Sequence, residues 1–153
     1  MDENKLRAAI ELAQTAPSAC NRQATRVKII SSDIGKKLCC ELQVGNRGFG
    51  KTADKWLLIT SELAYWSNNN LYAPYVDAGI FTMNLLYALH YYGIVACTLN
   101  AYLNKKKVKK LYRQLGISES EIPVVFVAIG TPPDNFMVPK SQRLNYEDIV
   151  QVI

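Results

Sequence analysis

Apolar residues recur along this chain with two different periods, and the switches between them lay out its elements. From Lys5 to Thr15, the residues Leu6, Ala9, Ile10, Leu12 and Ala13 fall at helical spacing, and Pro17-Ser18 stop that helix. A polar loop, Ser18-Ala19-Cys20-Asn21-Arg22-Gln23, leads into Arg26-Val27-Lys28-Ile29-Ile30, which reads as a strand. Asp33 is placed to cap a second helix running to Leu42. Gly45-Asn46-Arg47-Gly48-Phe49-Gly50 is a glycine-rich loop, and Trp56 to Thr60 behind it is a second strand. Asn68-Asn69-Asn70 marks a turn. From Val76 to Val95 the chain is almost continuously apolar, which predicts a long helix ended by Gly93. Ile94 to Leu99 is a third strand. Asn104 then caps a lysine-rich helix with Val108, Leu111 and Leu115 on one face and Gly116 at its end. Ile122 to Ile129, dense in Val and Ile, is the clearest strand of all. After Gly130-Thr131-Pro132-Pro133 the tail from Phe136 is extended, with one helical turn near Tyr146 to Val150.

Helices and strands mixed in this order predict one sheet with helices packed on its faces, an α+β domain. A chain of 153 residues has room for one such core, so residues 1–153 are read as a single domain without linker or repeat. The net charge of +5 comes largely from Lys105-Lys106-Lys107 with Lys109 and Lys110. That run sits on one helix, without interleaved aromatic residues, so it reads as a solvated face and not as a nucleic-acid surface. The polar start Met1-Asp2-Glu3-Asn4 offers no signal peptide. The apolar stretch at Val76 to Val95 is interrupted by Asp77, Asn84 and His90, so it reads as a helix buried within the domain or at a dimer contact. A cytoplasmic protein with reduced thiols is expected.

Standard constellations are missing. The four cysteines Cys20, Cys39, Cys40 and Cys97 form no C-x-x-C pair and the only histidine is His90, so no zinc ligand set exists. Cys20 and Cys97 read as small buried hydrophobes. Ser18 lacks a nucleophile-elbow context, and His90, expected to be buried, offers it no base. Gly45 to Gly50 is neither a Walker loop nor a dinucleotide fingerprint, because it lies ahead of a strand and no Lys-Ser/Thr pair closes it.

One set of segments does converge. Ala16-Pro17-Ser18-Ala19-Cys20-Asn21-Arg22-Gln23, an A-P-S-x-x-N-x-Q loop between a helix and a strand, resembles the flavin-contacting loop of the nitroreductase family. Asn46 ahead of the Trp56 strand and the helix from Asp77 to Gly93 fall in the family's order. The segment Gly93-Ile94-Val95-Ala96-Cys97-Thr98-Leu99-Asn100 is similar to its flavin-facing strand, and Lys140-Ser141-Gln142-Arg143 to its C-terminal Lys/Arg pair. The chain departs from the pattern where Gln23 is followed by Ala24 instead of Pro, and it starts without the arginine- and serine-containing segment usual in the family.

The resemblance implies a three-layer α-β-α fold with a central mixed, mainly antiparallel sheet, assembled as a homodimer. It implies FMN as cofactor, NADH or NADPH as donor, and a nitroaromatic, quinone or similar electron-poor acceptor. Pro17, Ser18, Asn21 and Gln23 are expected to reach the flavin of the neighbouring subunit. Asn46 is expected at the pyrimidine edge, Arg47 near its developing negative charge, and Thr98, Leu99 and Asn100 by N5. Lys140 and Arg143 are expected on the phosphate. No side chain is expected to act as acid or base, since the flavin carries the chemistry. The alternative implied by the missing N-terminal segment is a flavin-poor, non-catalytic relative acting in binding or assembly.

Overall fold

The computed structural model describes residues 1–67 and 72–153, so the turn expected at Asn68-Asn69-Asn70 lies outside the described residues. Asp2 opens the first helix, α1 (Glu3–Ala13), by accepting from the backbone N–H of Asn4 and Lys5. Strand β1 (Thr25–Ile30) follows, then α2 (Asp33–Leu42). The cap of α2 is Ser32, whose hydroxyl accepts from Gly35 N–H, and not Asp33, which sits inside the first turn where its charge suits the helix dipole. Strand β2 (Lys55–Glu62), helix α3 (Ala73–Tyr91), strand β3 (Val95–Asn100), helix α4 (Lys105–Leu115) and strand β4 (Glu121–Gly130) complete the body.

The sheet order is β1-β2-β4-β3, and all three ladders are antiparallel. The expected mixed sheet is therefore, among the described strands, wholly antiparallel. The helical connections allow this because α4 leaves β3 at Asn100 and delivers the chain beyond Val125, its partner in register, so the two strands meet head to tail.

Alternation along the central strands sends side chains to two separate cores. Leu57, Ile59, Val127 and Ile129 face α1 and α3, against Leu6, Ala9, Leu85 and Leu89. Trp56, Leu58, Phe126 and Ala128 face α2 and α4, against Leu38, Leu42 and Leu111. In the second core Trp56 and Phe126 meet edge to face, ring centroids 6.0 Å apart at 83°. At one end of the sheet the buried Glu121 accepts from Lys28 Nζ at 2.6 Å and from the Thr60 hydroxyl, tying β1, β2 and β4 together.

Helix α3 is apolar on two faces. Its inner stripe, Ala78, Phe81, Leu85, Ala88 and Leu89, is buried, while Val76, Ile80, Met83, Tyr87 and Tyr91 form a second stripe that stays exposed. His90 is exposed as well, against expectation, because it falls on this outer side. Among the described residues no helix is long and apolar enough to cross a membrane.

Helix α4 is held by the Asn104 cap and by Gly116, at φ 65° and ψ 34°, yet its charge works against it. Lysines fill the first turn where the macrodipole favours acids, and each like-charged i,i+3 or i,i+4 pair costs about 0.2–0.5 kcal/mol. Part of this is offset where Lys107 Nζ donates to Leu42 O, at the C-terminal end of α2, at 3.0 Å.

Phe126 and Trp56 are fully buried, so truncating the former tests the second core. Phe126→Ala is expected to lower unfolding free energy by about 3–5 kcal/mol in a denaturant titration. A loss below about 1 kcal/mol would mean that the α2/α4 layer is not a close-packed core.

Candidate active site

The loop after α1 is strained. Cys20, Asn21 and Gln23 have φ of 51°, 52° and 50°, the left-handed region that L residues other than Asn and Asp seldom enter. Each such residue costs on the order of 1 kcal/mol and persists only where its surroundings over-determine it. They do so here. Asp77, only 5% exposed on α3, accepts from Ala19 N–H at 2.9 Å through Oδ2. Ser18 Oγ accepts from Gln23 N–H at 3.1 Å, and Gln23 Nε2 donates to Asn21 Oδ1 at 3.0 Å. Arg22 donates to Tyr65 O and Ala19 O while its guanidinium stacks 5.3 Å from the Trp66 ring. Arg26 donates to Gln23 O at 2.7 Å and lies 5.5 Å from the Tyr65 ring. Behind this loop lies a cavity of about 350 Å³ lined by Pro17, Ser18, Gln23, Arg26, Asp77 and Phe81.

The second group of expected site residues gathers around β3. Gln43 Nε2 donates to Asn100 O at 3.4 Å, and its Oε1 accepts from Gly45 N–H, which draws the glycine-rich loop to the strand. Asn46 Nδ2 donates to Cys40 O at 3.1 Å and to Gln43 O, so its nitrogen is committed to the end of α2 and its Oδ1 remains as an acceptor. That oxygen lies against Gly50, where a Cβ would stand 2.2 Å away, so the close approach requires glycine. Arg47, Thr98 and Asn100 are exposed and Leu99 is half-buried. Beside them is a cavity of about 300 Å³ whose walls include Phe49, Ala53, Cys97 and Thr131.

The two groups do not meet within one chain. β1 and β3 are opposite edges of the sheet, three strand spacings or about 14 Å apart. The Pro17–Gln23 loop also packs with α3 on one face, whereas Asn46 packs at the end of α2 on the other. Lys140 and Arg143 join neither group. Both are exposed on the tail, where, among the described residues, Arg143 donates only to the neighbouring carbonyls of Ser141 and Gln142. The tail ends in a short turn at Tyr146–Asp148, as expected.

Several residues escaped the sequence reading. Asp77 stood out only as an interruption of an apolar helix, although a lone acid there needs a buried partner, and Ala19 N–H is that partner. Arg22, Arg26, Tyr65 and Trp66 carry no spacing signal, since their pairing is purely tertiary. Cys20 and Cys97 are exposed and not buried, because one sits on the strained turn and the other on the uncovered side of an edge strand. Burial and the adjacent Cys40 push the Cys39 thiol up to about 12, which keeps it protonated and unreactive. Among the described residues no group of His, Cys, Asp and Glu could hold a metal ion.

The sequence profile described as "Nitroreductase family" matches residues 1–131. No curated protein matches the chain in sequence. In three dimensions it is similar to a protein from Parabacteroides distasonis described as an NADH dehydrogenase/NAD(P)H nitroreductase, at 19% identity and a TM-score of 0.83, over 99% of this chain and 86% of that one. It is similar to a Staphylococcus epidermidis protein described as an NAD(P)H:FMN oxidoreductase, at 17% identity and TM-score 0.82, over 100% and 86% of the two chains. The nitroreductase CinD from Lactococcus lactis, solved with 4-nitrophenol, matches at 22% identity and TM-score 0.80, over 100% and 89%. At these identities the likeness establishes the fold.

If Asp77 holds the strained loop, Asp77→Ala leaves Ala19 N–H without its acceptor, at a cost of about 1–3 kcal/mol. Amide hydrogen exchange should then accelerate from Ala19 through Gln23 while the strands stay protected. Asp77→Asn keeps an acceptor oxygen and should exchange nearly as the parent does. Unchanged protection in the alanine variant would remove Asp77 from this role.

Proposed function

Because the chain belongs to the nitroreductase family, we propose that it is an FMN-dependent oxidoreductase drawing on NADH or NADPH to reduce a small electron-poor acceptor, a nitroaromatic, a quinone or a similar compound. The observation that carries this reading is the split of the expected flavin contacts between opposite sheet edges, which suits a site completed by a second copy of the chain. The relatives described as an NAD(P)H:FMN oxidoreductase and as a nitroreductase with 4-nitrophenol support the donor and acceptor classes.

The residues present fit a flavin. Its pyrimidine edge carries one N–H donor between two carbonyls, and Asn46, with its nitrogen already engaged, offers the acceptor oxygen that such a donor needs. Arg47, exposed beside it, would offset negative charge at that edge. Thr98, Leu99 and Asn100 lie on an edge strand, so part of their backbone faces away from β4 and would bond the ring. Pro17, Ser18, Asn21 and Gln23 would close the site from the second chain, on a turn already held rigid. Lys140 and Arg143 would take the phosphate once the tail is ordered against that chain. The bound cofactor supplies the redox chemistry, and donor and acceptor would use its open face in turn. No side chain need act as an acid, because solvent reaches an edge this exposed.

A homodimer belongs to the same proposal. The outer stripe of α3, with Val76, Ile80, Met83, Tyr87 and Tyr91, and the apolar tail residues Phe136, Met137, Val138, Leu144 and Ile149 are all exposed in one chain. So much apolar surface on a small protein supports an interface between two copies.

Sedimentation should give a dimer at low micromolar concentration, and titrated FMN should bind with a visible flavin spectrum. Asn21→Ala should lower occupancy at unchanged unfolding free energy. Lys140→Ala with Arg143→Ala removes two charge-assisted hydrogen bonds of about 1.5–3 kcal/mol each, so FMN affinity should fall by about 100-fold or more while riboflavin affinity hardly moves. A dimer that takes up no FMN would defeat the oxidoreductase reading; a clean monomer would defeat the shared site.

A further inference from the structure

The lysine-rich helix is left unused by the flavin site. Lys106, Lys109, Lys110 and Arg113 stand at i, i+3, i+4 and i+7, so α4 presents them as one stripe along a single face. Leu111 and Leu115 turn the other way, into the core. The stripe walls a cavity of about 630 Å³, within the range of roughly 300–1,000 Å³ that small ligands occupy. Lys110 is partly neutralised by Glu41 at 3.0 Å, an ion pair that also holds the Glu41 carboxyl below its ordinary value. Lys106, Lys109 and Arg113 have no ion-pair partner among the described residues. A helix whose cations repel one another, with none of its first-turn positions acidic, is one that an anionic ligand would relieve.

The rest of the lining narrows the class of anion. Tyr112 is half-buried, and its ring is fixed because the hydroxyl donates to Glu121 O; burial pushes that hydroxyl up to about 12, so it stays a donor. Ile117 is buried beside it. Together they form the apolar part of the cavity's lining. Glu119 adds an acceptor-only carboxylate. Cations for phosphate, a ring surface for a base and a carboxylate for a sugar hydroxyl or an exocyclic amine together complement a nucleotide. A bare phosphate would leave the ring surface and Glu119 unused.

Position connects the cavity to the redox edge. α4 is capped by Asn104, four residues after Asn100 at the end of β3, and rises about 14 Å from there to Arg113. We propose that this cavity takes the adenosine end of NADPH, with the stripe on its 2′-phosphate and pyrophosphate, and so selects NADPH over NADH. The donor's identity rests on the oxidoreductase reading; the nucleotide chemistry of the cavity does not.

Calorimetric titration of the intact chain with adenosine 2′,5′-bisphosphate, adenosine 5′-monophosphate and inorganic pyrophosphate, with and without FMN, tests this. The bisphosphate is expected to bind about tenfold or more tighter than the monophosphate, equivalent to about 1.4 kcal/mol, and to weaken as salt rises. A variant with Lys106→Ala, Lys109→Ala and Arg113→Ala should lose that advantage and unfold at no lower temperature, since it only removes repelling exposed charges. Equal affinity for the two nucleotides, or an advantage that survives in the variant, overturns the proposal. Pyrophosphate binding as tightly as the bisphosphate also overturns it, reducing the cavity to a phosphate patch. A chain that binds the bisphosphate in this way but takes up no FMN sinks the oxidoreductase reading and leaves the nucleotide cavity standing. One that takes up FMN without discriminating between the nucleotides sinks only the donor assignment.

Discussion

Strand β2 has no free side. Its backbone is paired with β1 along one edge and β4 along the other, and Trp56, Leu57, Leu58 and Ile59 are each 0% exposed between the two helix layers. A strand buried in this way can carry neither a ligand nor a mobile side chain, because its backbone is paired along both edges and both faces are close-packed. Whatever the sheet itself recognises must therefore be met at its edges. β1 and β3 supply them, each with one unpaired side, and the residues with chemical character collect beside those two strands.

The two edges are prepared differently. Next to β1 the backbone is forced into left-handed turns and then fixed by a buried carboxylate, a serine hydroxyl and two arginines stacked on aromatic rings. The cost of that strain is met by contacts that remain whether or not anything is bound, so the loop can present its amides without reorganising. Next to β3 the strand is regular, and the shaping falls to Gln43 and Asn46, whose amides stitch the end of α2 to the glycine-rich loop and to Asn100. One edge is rigid through strain, the other through hydrogen-bonded side chains.

Most of the fold was legible because its signals are local and periodic. The strands are short apolar runs, α1, α2 and α4 start at Asp, Ser or Asn, α3 and α4 stop at Gly, and these features survive without knowledge of neighbours. The cap at Ser32 was missed by one residue because Asp33 carries an equally good acceptor oxygen for the N–H groups of the first turn, and only the backbone φ and ψ separate them. Among the described residues the parallel strand expected of a mixed sheet did not appear, since strand direction follows from how α4 returns the chain and not from the residues of β3. At the site, the loop and the glycine turn could be read from their motifs. What holds them could not: Asp77 is distant in sequence from Ala19, and Arg26 from Tyr65. The double character of α3 was visible only as a run too apolar to show a moment, which is what two opposed apolar stripes produce.

That second stripe bears on the separation of the two edges. A single chain holds both halves of the proposed site about 14 Å apart across a sheet that cannot bend to join them, because its centre is packed on both faces. Pairing two chains about a two-fold axis solves this without any internal movement. In an isologous contact each chain offers its β1 edge where the other offers its β3 edge, so both halves are completed twice. The exposed face of α3 and the apolar tail are the surfaces available to drive such a contact, and the tail also carries Lys140 and Arg143. Ordering the tail against a partner would then bury apolar surface and deliver the phosphate ligands in one step, linking cofactor affinity to assembly.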